Sequence, residues 1–147
     1  SRRGEVADIF EAYLDSIVGC LQSLGTDACK SGRNDVMVGD RKVSGNAFQM
    51  LPDRSIVHGT MLYDTDFDAL ETAIRPPVEK LERHGVASVR QRVMNLRDCL
   101  DVSRIASVEE LEEHFVAFFT DGEVVLSPDD VAEIEQMEQT YERYSWK

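Results

Sequence analysis

Residues 32–47 contain the feature that most restricts how this chain can fold: two short strand-like runs joined at Gly39-Asp40, within the sequence GRNDVMVGDRKVSGNA. A two-residue loop that begins with Gly favours a type II′ hairpin, because Gly accepts a positive φ without steric cost. The resulting register predicts three facing pairs, Val36 with Val43, Met37 with Lys42 and Asp35 with Ser44. Side chains alternate across a strand, so this register would place Asp35, Lys42 and Ser44 on one face.

This hairpin brings a carboxylate, a cation and a hydroxyl close to a glycine inside a strand, Gly45. Such a glycine often marks the close approach of a ligand or of another backbone segment. An ammonium such as that of Lys42 can neutralise charge that develops on a phosphate or carboxylate. The alternative is that Lys42 is an ordinary solvated residue near a hairpin tip. From the residues alone, the pattern indicates a candidate site for an anionic ligand.

Composition limits the remaining possibilities. At 147 residues with 42% hydrophobic residues, the chain is large enough for one domain with a hydrophobic core. Its net charge of −12 argues against nucleic-acid binding through bulk electrostatics. The three cysteines, Cys20, Cys29 and Cys99, match neither a metal motif nor a disulfide framework, which favours a reducing, cytoplasmic compartment.

The order of elements predicts an α+β fold, a mixed β-sheet with flanking helices in a single domain over residues 1–147. Apolar residues at helical spacing predict a helix over 4–24 that ends at Gly25. Strands follow within about 26–63, and 66–147 is predicted to be mostly helical, with a helix at 78–84 and a last strand at 123–126. A capping box at 107–110 and Ser127-Pro128 mark the starts of two further helices.

Several segments in order resemble the lipoate–protein ligase family, which has the biotin/lipoate protein ligase catalytic fold. The resemblance is carried by Gly32-Arg33-Asn34-Asp35, by 41–47 (RKVSGNA), by 58–62 (HGTML), by 79–81 (EKL) and by 85–96 (GVASVRQRVMNL). It implies an enzyme that activates lipoate with ATP and Mg²⁺ to lipoyl-AMP. The lipoyl group then passes to a lysine of an acceptor domain in 2-oxoacid dehydrogenase E2 or the glycine cleavage H protein.

The resemblance also assigns roles to residues of this chain. Lys42 matches the family's catalytic lysine, which touches the lipoyl carbonyl and the α-phosphate. Asn34 and Asp35 match residues on the nucleotide side. The positions that match strand residues lining the ligand are Ser44, Gly45, Ala47, His58 and Gly59. No metal ligand is assigned.

The family's arginine- and glycine-rich segment has no counterpart here, so the chain is expected to be the C-terminal part of the catalytic domain. The N-terminal half would then be a further segment or a separate chain. Two alternatives stay open: an ATP-independent octanoyl or lipoyl transferase that uses Cys29 as nucleophile, and a non-catalytic fragment that binds lipoyl domains.

Overall fold

The computed structural model describes residues 2–73 and 92–142, and its contacts divide the chain into two compact units, 1–115 and 116–147. The elements in chain order are α1 (Arg2–Ser23), β1 (Cys29–Ser31), β2 (Asp35–Val38), β3 (Arg41–Met50), β4 (Ser55–Met61), α2 (Phe67–Ala73), a 3₁₀ turn (Leu96–Asp98), α3 (Val108–Phe119) and α4 (Pro128–Glu142). The α+β class is confirmed. The predicted helix at 78–84 and the segments 79–81 and 85–91 lie outside the described residues.

Helix α1 supplies much of the core of the first unit. Its buried residues Leu14, Ile17 and Leu21 recur every three to four positions, the spacing that places side chains on one helical face. They pack with Val36 and Val43 of the sheet. The helix ends at Ser23, one residue before the predicted end at residue 24; Gly25, which follows it, has φ +91°, and its N–H donates to the carbonyl of residue 22 at 2.9 Å.

The sheet has the order β1-β2-β3-β4, and each neighbouring pair is antiparallel. Gly39 has φ +60° and Asp40 does not have a positive φ, which agrees with the predicted II′ hairpin. The pairing of Met37 with Lys42 is confirmed. The other two predicted pairs are wrong by one residue.

A β-bulge causes this difference. Val36 pairs with Ser44 and Asp35 with Gly45, so Val43 is an extra residue on β3. An extra residue reverses the alternation of all later side chains on the bulged strand relative to its start. Val43 and Ser44 are consequently both buried, and the predicted sharing of one face by Ser44, Asp35 and Lys42 is wrong.

A segment from the second half of the chain fixes the backbone around Lys42. Met94 N–H donates to the Lys42 carbonyl at 2.9 Å, and Val93 forms a parallel bridge with Lys42. Asn95, which is buried, holds the backbone of Thr65 through both amide atoms, at 2.8 and 3.0 Å. Residues 92–98 therefore hold a position beside β3 by hydrogen bonds at several points.

The predicted helix starts are confirmed in both units. Ser107 Oγ accepts from the N–H of Glu110 at 3.2 Å, and Ser127 Oγ accepts from the N–H of Asp130 at 3.2 Å. The strand predicted at 123–126 is wrong: these residues pair with none of the described strands, and a strand requires a neighbour for its ladder. In the described ranges 2–73 and 92–142, no helix combines the length and apolarity needed to cross a bilayer.

Candidate active site

The ammonium of Lys42 forms an ion pair with the carboxylate of Asp35, with Nζ 2.7 Å from Oδ1. Both side chains are about one-third exposed, so the pair is shielded on one side and open to solvent on the other. Lys42 also passes over Gly45: a Cβ at this glycine would lie 2.9 Å from both Cε and Nζ of Lys42. Gly45 therefore provides the space in which the lysine side chain lies.

Strand register places other predicted residues on the same face of the sheet as this ion pair. Asp35 is paired with Gly45, which is paired with Thr60 on β4. Ala47 is paired with His58, and both are exposed. Because directly opposed residues share a face and alternate residues return to it, Ala47 and His58 lie on the Lys42 side. We call this side, defined by Asp35, Lys42, Gly45, Ala47 and His58, the lysine face.

The opposite side of the sheet is covered by α1, and Ser44 and Gly59 lie there. Ser44 is buried and accepts a hydrogen bond from Asn46 Nδ2 at 3.1 Å. A Cβ at Gly59 would overlap Asn46 Oδ1 and lie 3.0 Å from both Asn46 Cγ and Tyr13 Oη. These two predicted ligand-lining residues are therefore separated from the lysine face by the sheet.

Asn34 is tied to β3 by a reciprocal set of hydrogen bonds with Asn46. Asn34 Nδ2 donates to the Asn46 carbonyl at 2.7 Å, while the Asn46 backbone N–H and Nδ2 donate to the Asn34 carbonyl at 2.9 and 3.1 Å. Asn34 also borders an open groove of about 810 Å³ with Arg33, Gly32 and Ala47. Its amide both joins the loop to the sheet and borders this groove.

Asn46 is a buried residue to which the sequence interpretation gave no role. Its Oδ1 has no hydrogen-bond partner among the described residues, although the side chain is only 3% exposed. The sequence offered no signal for this position, because simple alternation would place Asn46 on the same face as Lys42, and only the bulge at Val43 turns it inward.

A cavity of about 320 Å³ lies on the helix-covered side. Burial raises the pKa of the Tyr13 hydroxyl beside it. Its walls come from α1, β3, β4 and α3. Most of the lining is apolar and includes Ile17, Met61, Leu111 and Phe115, while the polar members are Tyr13, Ser44, Asn46, Thr60 and Glu112. Lys42 lines neither this cavity nor the open groove.

The three thiols differ in environment. Cys20 is completely buried, and burial raises its pKa to about 11. Cys99 is partly buried, and burial is the main cause of its raised pKa. Cys29 is exposed and pairs with Met37, which in turn pairs with Lys42. The α-carbons of Cys29 and Lys42 are thus two strand spacings apart, about 10 Å.

The Mg²⁺ implied by the family resemblance has no three-ligand protein site among the described residues. No group of three His, Cys, Asp or Glu side chains with metal-binding geometry occurs in residues 2–73 and 92–142. The carboxylate beside the candidate catalytic lysine, that of Asp35, is paired with the ammonium. We therefore assign no step to a metal ion.

The sequence was compared with families of known proteins. The model of the lipoyl protein ligase A/B catalytic domain matches residues 1–120. The chain belongs to this catalytic-domain family. The hairpin with Lys42, the bulge and the lysine face are thus parts of a lipoyl protein ligase A/B catalytic domain.

A curated relative of this lipoyl ligase domain is lipoate–protein ligase 1 of Staphylococcus aureus (strain Mu50 / ATCC 700699), 33% identical over 142 residues. The match covers 93% of this chain and 43% of that protein. The chain therefore spans less than half the length of this curated relative.

Solved structures give the same fold. One is from an archaeal lipoylation system of Thermoplasma acidophilum, a bipartite lipoate protein ligase and its E2 lipoyl domain. It matches with a TM-score of 0.75 and 25% identity, and the match covers 96% of this chain and 57% of that chain. Another is lipoate–protein ligase A bound with ATP, with a TM-score of 0.71, 23% identity and coverage of 95% and 57%. Both support the lipoate ligase fold for this domain.

Proposed function

We propose that this chain carries the lysine side of the active site of an ATP-dependent lipoate–protein ligase. The ion-paired Lys42, which lies over Gly45 on an open face of the sheet, is the observation that carries the proposal. Membership of the catalytic-domain family and the similarity to a Staphylococcus aureus lipoate–protein ligase support it. A ligase of the same fold has been solved with ATP bound.

The proposed reaction has two steps. An oxygen of the lipoate carboxylate attacks the α-phosphorus of ATP, the bond to the pyrophosphate oxygen breaks, and lipoyl-AMP and pyrophosphate form. The ε-amine of an acceptor lysine then attacks the acyl carbon, loses a proton, and expels AMP. Both steps gather negative charge on oxygen, which a fixed ammonium stabilises.

Lys42 is the residue proposed to supply that ammonium, close to the acyl carbonyl and the α-phosphate. A lysine side chain is flexible, so its position must be imposed by neighbouring groups. The backbone hydrogen bond from Met94 and the ion pair with Asp35 impose it here. Gly45, Ala47 and His58, which share the lysine face, are proposed to line the bound ligand.

Asn34 and Asp35 are proposed to lie on the nucleotide side. Asn34 borders the open groove and holds the loop against β3. Ser44 and Gly59 are proposed to act indirectly, because both lie on the helix-covered side of the sheet. Ser44 supports the bulge beside Lys42, and Gly59 makes room for the Asn46 amide.

The proposed acceptor is a lipoyl domain of a 2-oxoacid dehydrogenase E2 or of the glycine cleavage H protein. The Thermoplasma acidophilum structure contains a bipartite ligase and its E2 lipoyl domain. We propose by analogy that an N-terminal half, in the same or a separate chain, completes the lipoate pocket. The cytoplasmic location stays a prediction from cysteine usage.

The test is lipoate-dependent exchange of labelled pyrophosphate into ATP, measured with the natural protein that carries this chain. Exchange should occur, and Lys42→Ala should abolish it. Lys30→Ala is the matched control, because Lys30 pairs with Glu11 and Asp15 on α1 rather than with the lysine face. Full exchange in Lys42→Ala would refute the role of Lys42.

A transferase that uses Cys29 is a second candidate, favoured by one observation. Cys29 is exposed and lies in the strand row that contains Met37 and Lys42. In this mechanism the thiolate attacks an acylated carrier, the carrier thiol leaves, and an acyl thioester forms on Cys29. An acyl adduct on Cys29 without ATP, absent in Cys29→Ser, would support it; exchange that is unchanged in Cys29→Ser would favour the ligase.

A further inference from the structure

We propose that Asp35 is a positioning residue that holds the Lys42 ammonium over the backbone of Gly45. The effect of Asp35 on catalysis rests on the proposed function, whereas its contact with Lys42 rests on the geometry alone. Asp35 would act in this way from the nucleotide side of the site, where the proposed function places it, by holding Lys42 and not by binding the nucleotide itself.

The first argument is the specificity of the contact. Asp35 Oδ1 lies 2.7 Å from Lys42 Nζ, a distance typical of a charge-assisted hydrogen bond. Hairpin pairs alone would oppose Lys42 to Met37 and Asp35 to Gly45. The two charged groups meet diagonally on the lysine face, where the end of the Lys42 side chain lies beside Gly45.

The second argument is the space that Gly45 leaves. A Cβ there would lie 2.9 Å from both terminal atoms of the lysine, so any larger residue would displace the ammonium from Asp35. Gly45 does not have a positive φ, so its backbone conformation gives no reason for glycine. Glycine is needed at this position because the Lys42 side chain passes over it.

The third argument is the bulge at Val43. Without the extra residue, Ser44 would oppose Asp35 and Gly45 would lie on the other face. The bulge brings Gly45 opposite Asp35 and removes the Ser44 hydroxyl to the helix-covered side. The bulge in β3 thus places Gly45 under the Lys42 side chain.

The positioning role has a kinetic consequence. An ammonium that moves by about 1 Å from its productive position can lose on the order of 10²-fold in rate. Asp35→Asn keeps the shape of the side chain but removes its charge. We expect kcat for pyrophosphate exchange to fall about 10²-fold, with little change in KM for ATP. Asp35→Glu, which keeps the carboxylate, should recover part of the loss.

Gly45→Ala is the second variant, and it removes no charge. Its methyl group should displace the lysine terminus, so kcat should fall while the unfolding midpoint stays close to that of the wild type. Asp40→Asn is the matched control, because Asp40 is an exposed aspartate at the turn of the same hairpin. It should leave kcat unchanged.

A measurement independent of catalysis separates this inference from the proposed function. The rate at which acetic anhydride acylates Lys42 is measured by mass spectrometry, with Lys30 as an internal reference in the same chain. We expect Asp35→Asn to raise the Lys42 rate relative to Lys30, because the amine is no longer held by a carboxylate. Asp40→Asn should not.

The outcomes are distinct. Equal Lys42 labelling in Asp35→Asn and Asp40→Asn would overturn the positioning role, whatever the activity. A raised KM for ATP with unchanged kcat in Asp35→Asn would also overturn it, in favour of nucleotide contact. If the wild-type protein shows no lipoate-dependent exchange, the proposed function fails, and the labelling result still decides whether Asp35 holds Lys42.

Discussion

The replacement of Gly59 by Ala gives the sharpest test of how the sheet supports the active site. Gly59 pairs with Asn46 across β3 and β4, and the Asn46 amide lies against its α-carbon. A Cβ at residue 59 would overlap Asn46 Oδ1 and lie 3.0 Å from Tyr13 Oη. Both neighbours lie between the sheet and α1, so the amide has to move.

The expected cost follows from what Asn46 would lose. Its Nδ2 donates to the Asn34 carbonyl and to Ser44 Oγ, both at 3.1 Å. Each such bond contributes about 1 kcal/mol, and overpacking at a well-packed site adds about 1–3 kcal/mol. We therefore expect Gly59→Ala to lower the free energy of unfolding by about 3–5 kcal/mol.

The assay is urea denaturation followed by circular dichroism. Gly122→Ala is the control, because a Cβ at Gly122 meets nothing within 4 Å and the residue has no positive φ. It should change the free energy of unfolding by less than about 0.5 kcal/mol. The same small change in Gly59→Ala would refute the packing of the Asn46 amide on this glycine.

A double-mutant cycle identifies the partner. Asn46→Ala removes the amide that the new methyl group would meet, so adding Gly59→Ala to this background should cost less than in the wild type. The interaction energy should fall in the range of about 0.5–3 kcal/mol found for residues in contact. Additive effects would mean that the new methyl group is opposed by a group other than the Asn46 amide, such as the Tyr13 hydroxyl.

Three further predictions concern the core and its titration. Leu21→Ala, at a completely buried position, should cost about 2–5 kcal/mol of unfolding free energy in the same urea assay. Asn95→Ala should cost about 2 kcal/mol, because the backbone N–H and carbonyl of Thr65 lose their partners. The pKa of Cys20 is raised from 9.0 to about 11, which favours the neutral thiol in the folded state. The contribution of the Cys20 thiol to the free energy of unfolding should be complete below pH 9 and decline between pH 9 and about 11, and Cys20→Ala should remove this decline. Iodoacetamide should modify the exposed Cys29 long before the buried Cys20.

Local chemistry made several features predictable. The turn at Gly39 needs one residue with positive φ, and the sequence places glycine there. Ser107 and Ser127 supply hydroxyl groups to free backbone N–H groups at helix starts, which depends on residues within one turn. The apolar residues of α1 recur at helical spacing because only one side of this helix is buried. The sequence could not exclude a strand at 123–126, because an apolar run does not contain the position of a partner strand.

The candidate site was only partly predictable for a related reason. Residue types and their resemblance to the lipoate–protein ligase family identified Lys42, Asp35 and Gly45. Strand alternation alone placed Ser44 beside them, and the structure places it on the other side of the sheet. The cause is Val43, the extra residue of the bulge, whose apolar side chain has no proposed role in the reaction.

The sequence by itself determined the hairpin turn, the helix starts and the identity of the family. Only the tertiary structure decided which side chains share the lysine face, because the bulge at Val43 depends on burying two consecutive residues against α1 and on a partner segment at 93–94. Strand pairing and core packing together determine where a bulge forms. Both depend on residues that are distant in the chain, so the alternation within β3 could not reveal the bulge at Val43.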